Sequence, residues 1–499
     1  GTKVHEPLVP TSPTTTTTVI GAPQAGPTTL FLTAPERMSA LYGSTEWASL
    51  AATLTDFAQR PDIRGEVLAL PSAIYDDWDR DPYSVDAANA VADQIRAIVQ
   101  ARMTADTKYV VVVGGDRVIP HRRIKDQTAI SNERYYADSA FLKPDSPLAS
   151  SLTGGYDLTD DFYVDGSPSL WQGTDMYVPD LPIGRLVEKP SEIRRVIAAY
   201  TDSDGAMSAS DAVVTGYDFF ADGGQAIADR LRTTGVSTTD LLTSGWSAAD
   251  LRGALLSPTR GLSNVNAHFA HYAALSAGGF SSHDYTDIMA SQDLSLSPNA
   301  LKGKLVYSIG CHSGFDVPDG DVYAADPSLG IDPSLDFPQA MAGQGAAFIG
   351  PTGFGLGDDA GIAGTERLAG LFTDELTSAS GRGLGDALVA AKRRYLSSLG
   401  VVTCYDVKSS VDWTLYGLPM YRVSAPTPSP LQAFINGVWT YIQSAGADLY
   451  DALTSPYATQ AFDLSVTDAG VTRTESRTLH PVTGASGTFF TAGSALDTL

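Results

Sequence analysis

Short apolar runs alternate with amphipathic helical patterns along most of the chain. In the first half the pattern predicts strands at 29–34, 65–71 and 109–120 and helices at 46–60 and 85–103. The run YVVVV, which ends in Gly-Gly-Asp, is typical of a strand that is buried on both faces. Strands that alternate with helices indicate a mostly parallel sheet with the helices outside it.

The same pattern returns after the polar stretch 201–211. It predicts strands at 212–219, 262–272, 304–315 and 345–353 and helices at 223–235 and 383–399. We therefore predict an α/β fold with two side-by-side subdomains, each a mostly parallel central sheet flanked by helices. Their predicted bounds, with those of the flanking segments, are 1–28 (a Thr/Pro-rich tail or pro-segment remnant), 29–205 (N-terminal subdomain), 206–424 (catalytic subdomain) and 425–499 (small C-terminal extension).

Composition narrows the class of protein. The 499 residues are 43% hydrophobic, which is enough for a large core, and 57 acidic against 33 basic residues give a net charge of −24. This charge repels phosphate backbones and anionic membranes, so we expect no nucleic-acid partner. No apolar run approaches the roughly 20 residues that cross a bilayer. The low Lys content and a Thr-rich tract resemble exported bacterial proteins, which predicts a secreted or cell-surface protein whose signal peptide is absent from this chain.

The two cysteines, Cys311 and Cys404, are too few for a disulfide framework. Cys311 follows an apolar strand and lies in the turn Gly310-Cys311-His312-Ser313-Gly314, where small flanking residues let the backbone and a substrate come close. This context favours a nucleophile. The alternative is a buried, inert thiol, because free cysteine behaves as a small hydrophobic residue.

Two histidines, His268 and His271, lie at the end of the preceding predicted strand. A thiol nucleophile needs an imidazole within hydrogen-bond reach to take its proton, and the spacing leaves open which of the two serves. A zinc site built from His268, His271, Cys311 and His312 is the competing interpretation. We consider it weaker, because neighbouring positions on a strand and turn diverge.

These motifs resemble the gingipain family of cysteine peptidases, which are relatives of the caspases, legumains and separases. In that family one strand ends in Gly-His-Gly and a later one in Ala-Cys-x-x-Gly. Cys311 to Gly314 matches the second motif, whereas Ala267 and Phe269 replace the two glycines around His268. Further segments between about 29 and 423 match in order, namely YVVVVGGDRVIP, TDDFYVD, LPIGRLVEKPSEIRRVIAAY, FPQAMAGQGAAFIGPTG, GLGDALVAAKRRY and WTLYGLPMYRV.

The resemblance implies an endopeptidase that uses a Cys-His dyad and forms an acyl-enzyme. Cys311 would be the nucleophile, His268 its acid/base partner, with His271 as the alternative base, and Asp218 would orient the ring. The family's oxyanion hole is built from the backbone N–H groups of the nucleophile and of the residue after the histidine, which corresponds to Phe269.

The resemblance also implies how a substrate binds. Arginine-specific gingipains hold the P1 side chain with an acidic residue near the next helix, and Asp222 lies close to that position. We therefore expect Asp222, Phe269 and Gly310 to contact the substrate, with a basic P1 preference. The Asp222-Gly223-Gly224 run is equally compatible with a plain turn.

No cofactor is expected for this chemistry, and the Gly-Gly-Asp after the third strand lacks the GxGxxG spacing of a dinucleotide site. Asp316, Asp319 and Asp321 could hold a structural calcium ion together with backbone oxygens. Calcium sites occur in the family, although solvated loop charges explain the same residues.

Two alternative functions remain open from the sequence. One is a binding or scaffold protein that kept the peptidase fold and lost activity, which the replaced glycines around His268 favour. The other is a thiol-dependent transpeptidase or ligase with the same dyad. All three functions involve protein or peptide partners, and the sequence does not indicate an oligomeric state.

Overall fold

The computed structural model describes residues 18–20, 26–137, 140–323, 331–359, 361–378, 382–426, 460–468, 471–484 and 487–492. The chain forms two compact units, Gly1–Pro426 and Thr427–Leu499. The described part of the second unit is an antiparallel sheet of three strands, Gln460–Asp468, Val471–Gly484 and Gly487–Ala492. The boundary between residues 205 and 206 stays a prediction, and most of the predicted tail 1–28 lies outside the described residues.

One eleven-stranded sheet forms the centre of the first unit. Its strands are β1 (Thr18–Ile20), β2 (Thr29–Thr33), β3 (Gly65–Ala69), β4 (Tyr109–Val113), β5 (Ile183–Leu186), β6 (Asp211–Thr215), β7 (Ser237–Leu241), β8 (Leu262–Asn264), β9 (Leu305–Tyr307), β10 (Ala347–Pro351) and β11 (Trp413–Tyr416). Their order is β1-β3-β2-β4-β5-β11-β10-β9-β8-β6-β7.

Neighbouring strands of this sheet are parallel, except that β1 is antiparallel to β3 and β11 is antiparallel to β10. Strands from the first half of the sequence occupy one side of the sheet, and those from the second half occupy the other. The inner strands are buried because helices cover the sheet, as the apolar runs predicted, whereas the edge strand β7 is partly exposed. This confirms the predicted fold class.

Thirteen α-helices occur in the described residues. They are α1 (Pro35–Tyr42), α2 (Ser44–Ala58), α3 (Asp76–Arg80), α4 (Val85–Arg102), α5 (Pro147–Thr153), α6 (Pro190–Asp202), α7 (Phe220–Thr233), α8 (Ala248–Leu255), α9 (Ala277–Ser282), α10 (Phe337–Gln344), α11 (Gly364–Thr377), α12 (Leu384–Ser397) and α13 (Cys404–Val411). At α6, Pro190 occupies the first turn and the Glu192 carboxylate accepts the Lys189 N–H at 2.9 Å. In the described part of the chain, no helix combines the length and the apolar character that a membrane span needs.

Several shorter elements complete the first unit. Three antiparallel strands, Phe269–Ala270, Ala273–Leu275 and Ile288–Ala290, form a small sheet after β8. Two further hairpins pair Arg122–Lys125 with Tyr156–Thr159 and Ser169–Trp171 with Thr174–Met176, and a second small sheet joins Ala206–Ser208, Arg422–Ser424 and Arg382–Gly383. Single 3₁₀ turns lie at Ser72–Tyr75, Glu133–Tyr135, Asp161–Tyr163, Ser291–Leu296 and Asp319–Asp321.

Several strands are shorter than the hydrophobic pattern predicted, including β4 and the two that lead to His268 and Cys311. β8 ends at Asn264, because the side chains of Asn264 and Asn266 bond to each other and the Asn266 amide group also donates to the Thr215 carbonyl. β9 ends at Tyr307, and the chain then turns sharply so that His312 adopts a left-handed φ of 55°. Both predicted strands therefore end in irregular segments, 265–268 and 308–316.

Candidate active site

Three candidate residues follow three adjacent strands. Asp218 follows β6, His268 follows β8 and Cys311 follows β9, and these strands are neighbours in the order β9-β8-β6. Because all three are parallel, their carboxyl ends lie at one edge of the sheet, where ligands of open α/β sheets bind. The structure thus places the three residues at one edge.

The tips that carry His268 and Cys311 pack directly against each other. A Cβ atom added at Gly310 would lie 2.3 Å from a ring carbon of Phe269 and 2.7 Å from the Ala267 carbonyl oxygen. Only glycine fits at this contact, since a carbonyl of the backbone cannot move aside as a flexible side chain does. The packing brings the residue before the nucleophile against both neighbours of His268.

Asp218 bonds to the His268 ring. Nε2 of His268 lies 3.2 Å from Oδ2 of Asp218, and a carboxylate only accepts, so Nε2 carries the hydrogen and Nδ1 of a neutral ring keeps its lone pair. Asp218 sits in a tight turn with a φ of 54°, a conformation that aspartate tolerates better than most residues. Burial lowers the pKa of His268, and the Asp218 carboxylate opposes this shift.

Aromatic rings enclose His268 on several sides. The rings of Tyr217, Phe219, Phe220 and Phe280 have centroids 4.8 to 5.7 Å from the imidazole, and Phe280 is the closest. The backbone N–H of His268 donates to the Tyr217 hydroxyl at 3.1 Å. The imidazole is therefore fixed by packing and hydrogen bonds, while its side chain stays 30% exposed.

Cys311 is half-buried, and its thiol donates to the Gly355 carbonyl at 3.6 Å. Burial raises the pKa of this thiol to about 11, and the backbone at Gly355 and Cys311 offsets the effect only in part. Among the hydrogen bonds of the described residues, none joins Sγ to an imidazole. Burial has the largest effect on the pKa of Tyr217 and raises it. The nearby Asp218 and Cys311 raise it further, so Tyr217 lies close to both residues.

His271 has a different environment from His268. Its side chain is buried, Nε2 donates to the Pro333 carbonyl at 2.9 Å, and Nδ1 accepts from the Tyr136 hydroxyl at 2.8 Å. Burial lowers the pKa of His271 to about 3. Both ring nitrogens are engaged within the fold.

His312 is also buried, and it follows Cys311 directly in the nucleophile turn. Its Nε2 bonds to Glu133 at 2.9 Å, and its ring stacks on Tyr136 with 3.4 Å between centroids. The four residues of the zinc alternative, His268, His271, Cys311 and His312, do not converge. Within the part of the chain that the structure describes, the one group of three potential ligand residues whose atoms lie within 4.8 Å of one another is Asp126, Glu133 and Asp157.

Asp222 lies in the first turn of α7, which begins at Phe220, three residues earlier than predicted. Its side chain is exposed and Oδ1 accepts the N–H of Gly223 at 2.8 Å. The buried carboxylate of Glu366 lies against the same turn, because a Cβ atom added at Gly223 would meet Glu366 Oε1 at 2.8 Å. Burial and the nearby Asp222 raise the pKa of Glu366 to about 8.

The three aspartates of the predicted calcium site have separate partners. Asp319 forms an ion pair with Lys189 at 2.7 Å, and Asp321 accepts from Arg117. Asp316 is 2% exposed, and neither of its carboxylate oxygens accepts a hydrogen bond from a protein group. Of the three, Asp316 has both oxygens open to a cation, whereas Asp321 keeps only Oδ2 without a partner.

Two buried acids share the surroundings of Asp316. The Asp316 carboxylate raises the pKa values of Glu188 and of Asp336, on which burial has the largest effect. One oxygen of Glu188 is likewise without a partner, whereas Asp336 accepts the N–H groups of Val317 and Gln339. These unpaired, buried oxygens are suited to bind a calcium ion, because calcium prefers oxygen ligands such as carboxylates.

Sequence reasoning missed the residues behind the nucleophile turn. Glu133, Tyr136 and Lys408 are all buried in the structure, in segments for which the hydrophobic pattern predicted no element. The one signal was the polar segment NERYY among loop residues, which says nothing about its partners far along the chain.

The family model described as Peptidase family C25 matches residues 33–424. The chain belongs to this family. The resemblance to the gingipains is thereby confirmed, and so is the coarse class, a cysteine peptidase fold. The matched residues include strands from both halves of the central sheet and every residue of the candidate site.

The fold is similar to two solved structures of gingipain R. One is the crystal structure of the Arg-specific cysteine proteinase RgpB, with a TM-score of 0.49 and 13% identity over 81% of this chain and 80% of that chain. The other is the complex of the Porphyromonas gingivalis RgpB pro- and mature domains, with the same TM-score and identity over 80% and 81%. No curated protein matches the sequence significantly.

Proposed function

We propose that the protein is a cysteine endopeptidase in which Cys311 attacks the peptide carbonyl and His268 transfers the proton. The observation that carries the proposal is the direct packing of the Gly310 turn against both neighbours of His268, at one edge of a sheet in a peptidase-family fold. His268 suits the role because Nδ1 keeps a lone pair on a partly exposed ring. His271 suits it poorly because both of its nitrogens are engaged in the interior.

The reaction begins from a neutral thiol and a neutral imidazole. The thiol proton passes from Sγ to Nδ1 of His268 as sulfur bonds to the carbonyl carbon, and the oxyanion receives the N–H groups of Cys311 and Phe269. The tetrahedral intermediate collapses to a thioester while the imidazolium protonates the departing amine. Water then loses a proton to His268 and hydrolyses the thioester, which releases the acid product and restores the thiol. No cofactor takes part in these steps.

Asp218 supports this cycle by charge and by orientation. Its carboxylate holds the Nε2–H, which keeps the lone pair on Nδ1, and it stabilises the imidazolium that forms in each half-reaction. In the structure the thiol bonds to Gly355, so rotation of the Cys311 side chain must precede proton transfer. Catalytic hydrogen bonds are often absent before substrate binds.

We further propose a basic P1 preference that depends on Asp222. Its carboxylate is exposed in the first turn of α7, the helix that follows the Asp218 turn. The side chain of Glu366 lies at the base of this turn, and a bound cation would favour its ionised form. In keeping with family and composition, the proposed substrates are extracellular proteins or peptides.

A structural role for calcium at Asp316, with Glu188 as a second ligand, is a separate proposal. It is supported by the buried and unpaired oxygens of both carboxylates. Calcium should raise the melting temperature, and EDTA should lower it, with an Asp316→Asn variant insensitive to either. Equal melting curves of the wild type in calcium and EDTA would overturn this proposal without affecting the peptidase proposal.

A mixed peptide library tests the proposed function. The wild type should hydrolyse it with cleavage after Arg or Lys, Cys311→Ala should be inactive, and Cys404→Ala should retain full activity. Asp222→Asn should keep activity and lose the basic preference. Transfer products without hydrolysis would indicate a ligase, and no cleavage by the wild type would indicate a scaffold protein.

A further inference from the structure

A buried carboxylate from the first half of the chain contacts both segments that surround the Cys311 thiol. Glu133 lies in a 3₁₀ turn and is 1% exposed. Its Oε2 accepts from Nε2 of His312, the residue after the nucleophile, at 2.9 Å. Its Oε1 accepts the N–H of Phe354 at 2.9 Å.

These two contacts are made to the two segments next to the thiol, one that carries Cys311 and one that includes Gly355. His312 continues the nucleophile turn, and its N–H donates to the Gly353 carbonyl at 2.6 Å. Phe354 precedes Gly355, whose carbonyl accepts the hydrogen bond from the Cys311 thiol. One carboxylate therefore fixes the distance between the residue that carries Sγ and the backbone that faces it.

His312 needs such an anchor because its backbone is strained. Its φ of 55° is uncommon for a residue with a side chain, and the conformation persists only where the surroundings hold it. The surroundings are Glu133 at one edge of the ring, Tyr136 stacked on one face, and Phe354 at 4.5 Å between centroids.

Lys408 keeps the carboxylate ionised. Its ammonium contacts Glu133, Asp126 at 2.7 Å and Asp157 at 3.0 Å, and is itself 1% exposed. Burial by itself raises the pKa of Glu133, and the opposing charge of Lys408 lowers it to about 2. The group is an anion at every pH at which a peptidase would work.

We propose that Glu133 is a positioning residue for the nucleophile, which it holds through His312 on one side and Phe354 on the other. The proposal rests on the function proposed above and adds a residue from outside the catalytic edge of the sheet. Glu133 does not touch the reacting atoms, so its loss should lower turnover while leaving substrate binding intact.

The test compares Glu133→Gln with Asp161→Asn. Glutamine keeps the shape but has one oxygen and an NH₂ group, so it cannot accept from the His312 ring on one side while it accepts from the Phe354 N–H and the Lys408 ammonium on the other. Asp161 is the matched control, because it pairs with the 1% exposed ammonium of Lys392 at 2.6 Å in a different part of the same unit. Both variants remove one carboxylate charge from a buried lysine.

With peptide substrate, Glu133→Gln should lower kcat by about ten-fold or more and leave KM within about two-fold. Alkylation of Cys311 by iodoacetamide at about pH 8 should instead become about three-fold faster, because a released turn exposes the thiol. Asp161→Asn should change neither rate, although it lowers the melting temperature. The opposite directions of turnover and alkylation separate positioning from a general loss of structure.

A kcat of Glu133→Gln within about two-fold of the wild type would overturn the proposal, as would an equal loss in Asp161→Asn. If Glu133→Gln does not fold, His312→Asn takes its place, since asparagine tolerates the left-handed backbone and removes the anchored ring. Should the wild type cleave no peptide, the proposed function fails, and the alkylation rates decide this inference alone. Unchanged alkylation in the variant would then overturn it.

Discussion

Three histidines near the nucleophile differ by environment rather than by residue type. Burial lowers the pKa of each, yet His271 and His312 are enclosed and bonded within the interior, whereas His268 is 30% exposed beside Asp218. Sequence spacing could not separate His268 from His271, because the difference arises from Tyr136 and Pro333, which are distant in the chain. Which histidine can act as the base therefore depends on tertiary contacts rather than on sequence spacing.

Asp218→Asn should shift the pH dependence of catalysis. The carboxylate raises the pKa of His268 against burial, so its removal lowers that pKa further and moves the acidic limb of kcat/KM to lower pH. Because the imidazolium loses its counter-ion, we expect kcat to fall by about ten- to a hundred-fold. A pH–rate profile measures both effects.

The control for this change is Asp229→Asn, an exposed carboxylate on α7 that pairs with Arg232. It should leave the profile unchanged. An acidic limb of Asp218→Asn at the wild-type position, or at higher pH, would remove Asp218 from the proposed catalytic group.

At the scale of elements, hydrophobic periodicity predicted seven of the eleven central strands and four of the thirteen described helices, namely α2, α4, α7 and α12. The strands around the site were predicted too long, because apolar runs continue into 265–272 and 308–315, where side-chain hydrogen bonds and a left-handed residue end the ladder. The small sheet that begins at Phe269 was missed, since strands of two or three residues carry no period. The sequence nevertheless placed His268 and Cys311 after strands that are neighbours in the sheet.

Gly310→Ala should disrupt the contact between the two strand tips. The added methyl would collide with the Phe269 ring and the Ala267 carbonyl, so the turn must move away from His268. We expect activity to fall by about a hundred-fold, and the melting temperature to fall as well.

Gly343→Ala is the matched control, since nothing lies within 4 Å of a Cβ atom added there, inside α10. It should raise stability slightly, by about 0.5–1 kcal/mol, and leave activity unchanged. A fully active Gly310→Ala would show that the close packing of the tips does not matter for catalysis.

At the scale of the whole molecule, buried ionic groups bind within the first half of the sheet, through Arg185, and join the first half to the second, through Lys408 and Lys392. Arg185 on β5 is fully buried, bonds to Asp160 through Nε at 2.9 Å, and also donates to the carbonyls of Gly114 and Ile119. Lys408 and Lys392 bind acids from the first half of the chain in the same way. Composition showed the excess of acids but could not show that so many are inside.

Stability should fall as pH rises through the neutral range. Burial raises the pKa of Glu366 to about 8, of Asp157 to about 7 and of Asp161 to about 6, well above the value of about 4 in an unfolded chain. The folded state therefore keeps protons that the unfolded state releases. This stabilisation is complete below about pH 4 and is lost as pH rises through the folded values.

The melting temperature in EDTA should accordingly drop by several degrees between about pH 6.5 and pH 8.5. Buried histidines oppose this drop only at its lower end, because their pKa values are lowered in the fold and the unfolded chain releases their protons at about pH 6.5. Glu366→Gln should make the curve flatter. A melting temperature that is constant or rises over this range would contradict the account of the buried acids.

The central claim is that the Cys311 thiol and the His268 imidazole act together on a peptide carbonyl. Mass spectrometry of the acid-quenched enzyme, mixed with a peptide that it cleaves, tests this claim most directly. The account predicts an acyl group bound as a thioester to Cys311 in the wild type and its absence in His268→Ala. An acyl group on Cys404, or an equal yield at Cys311 without His268, would contradict it.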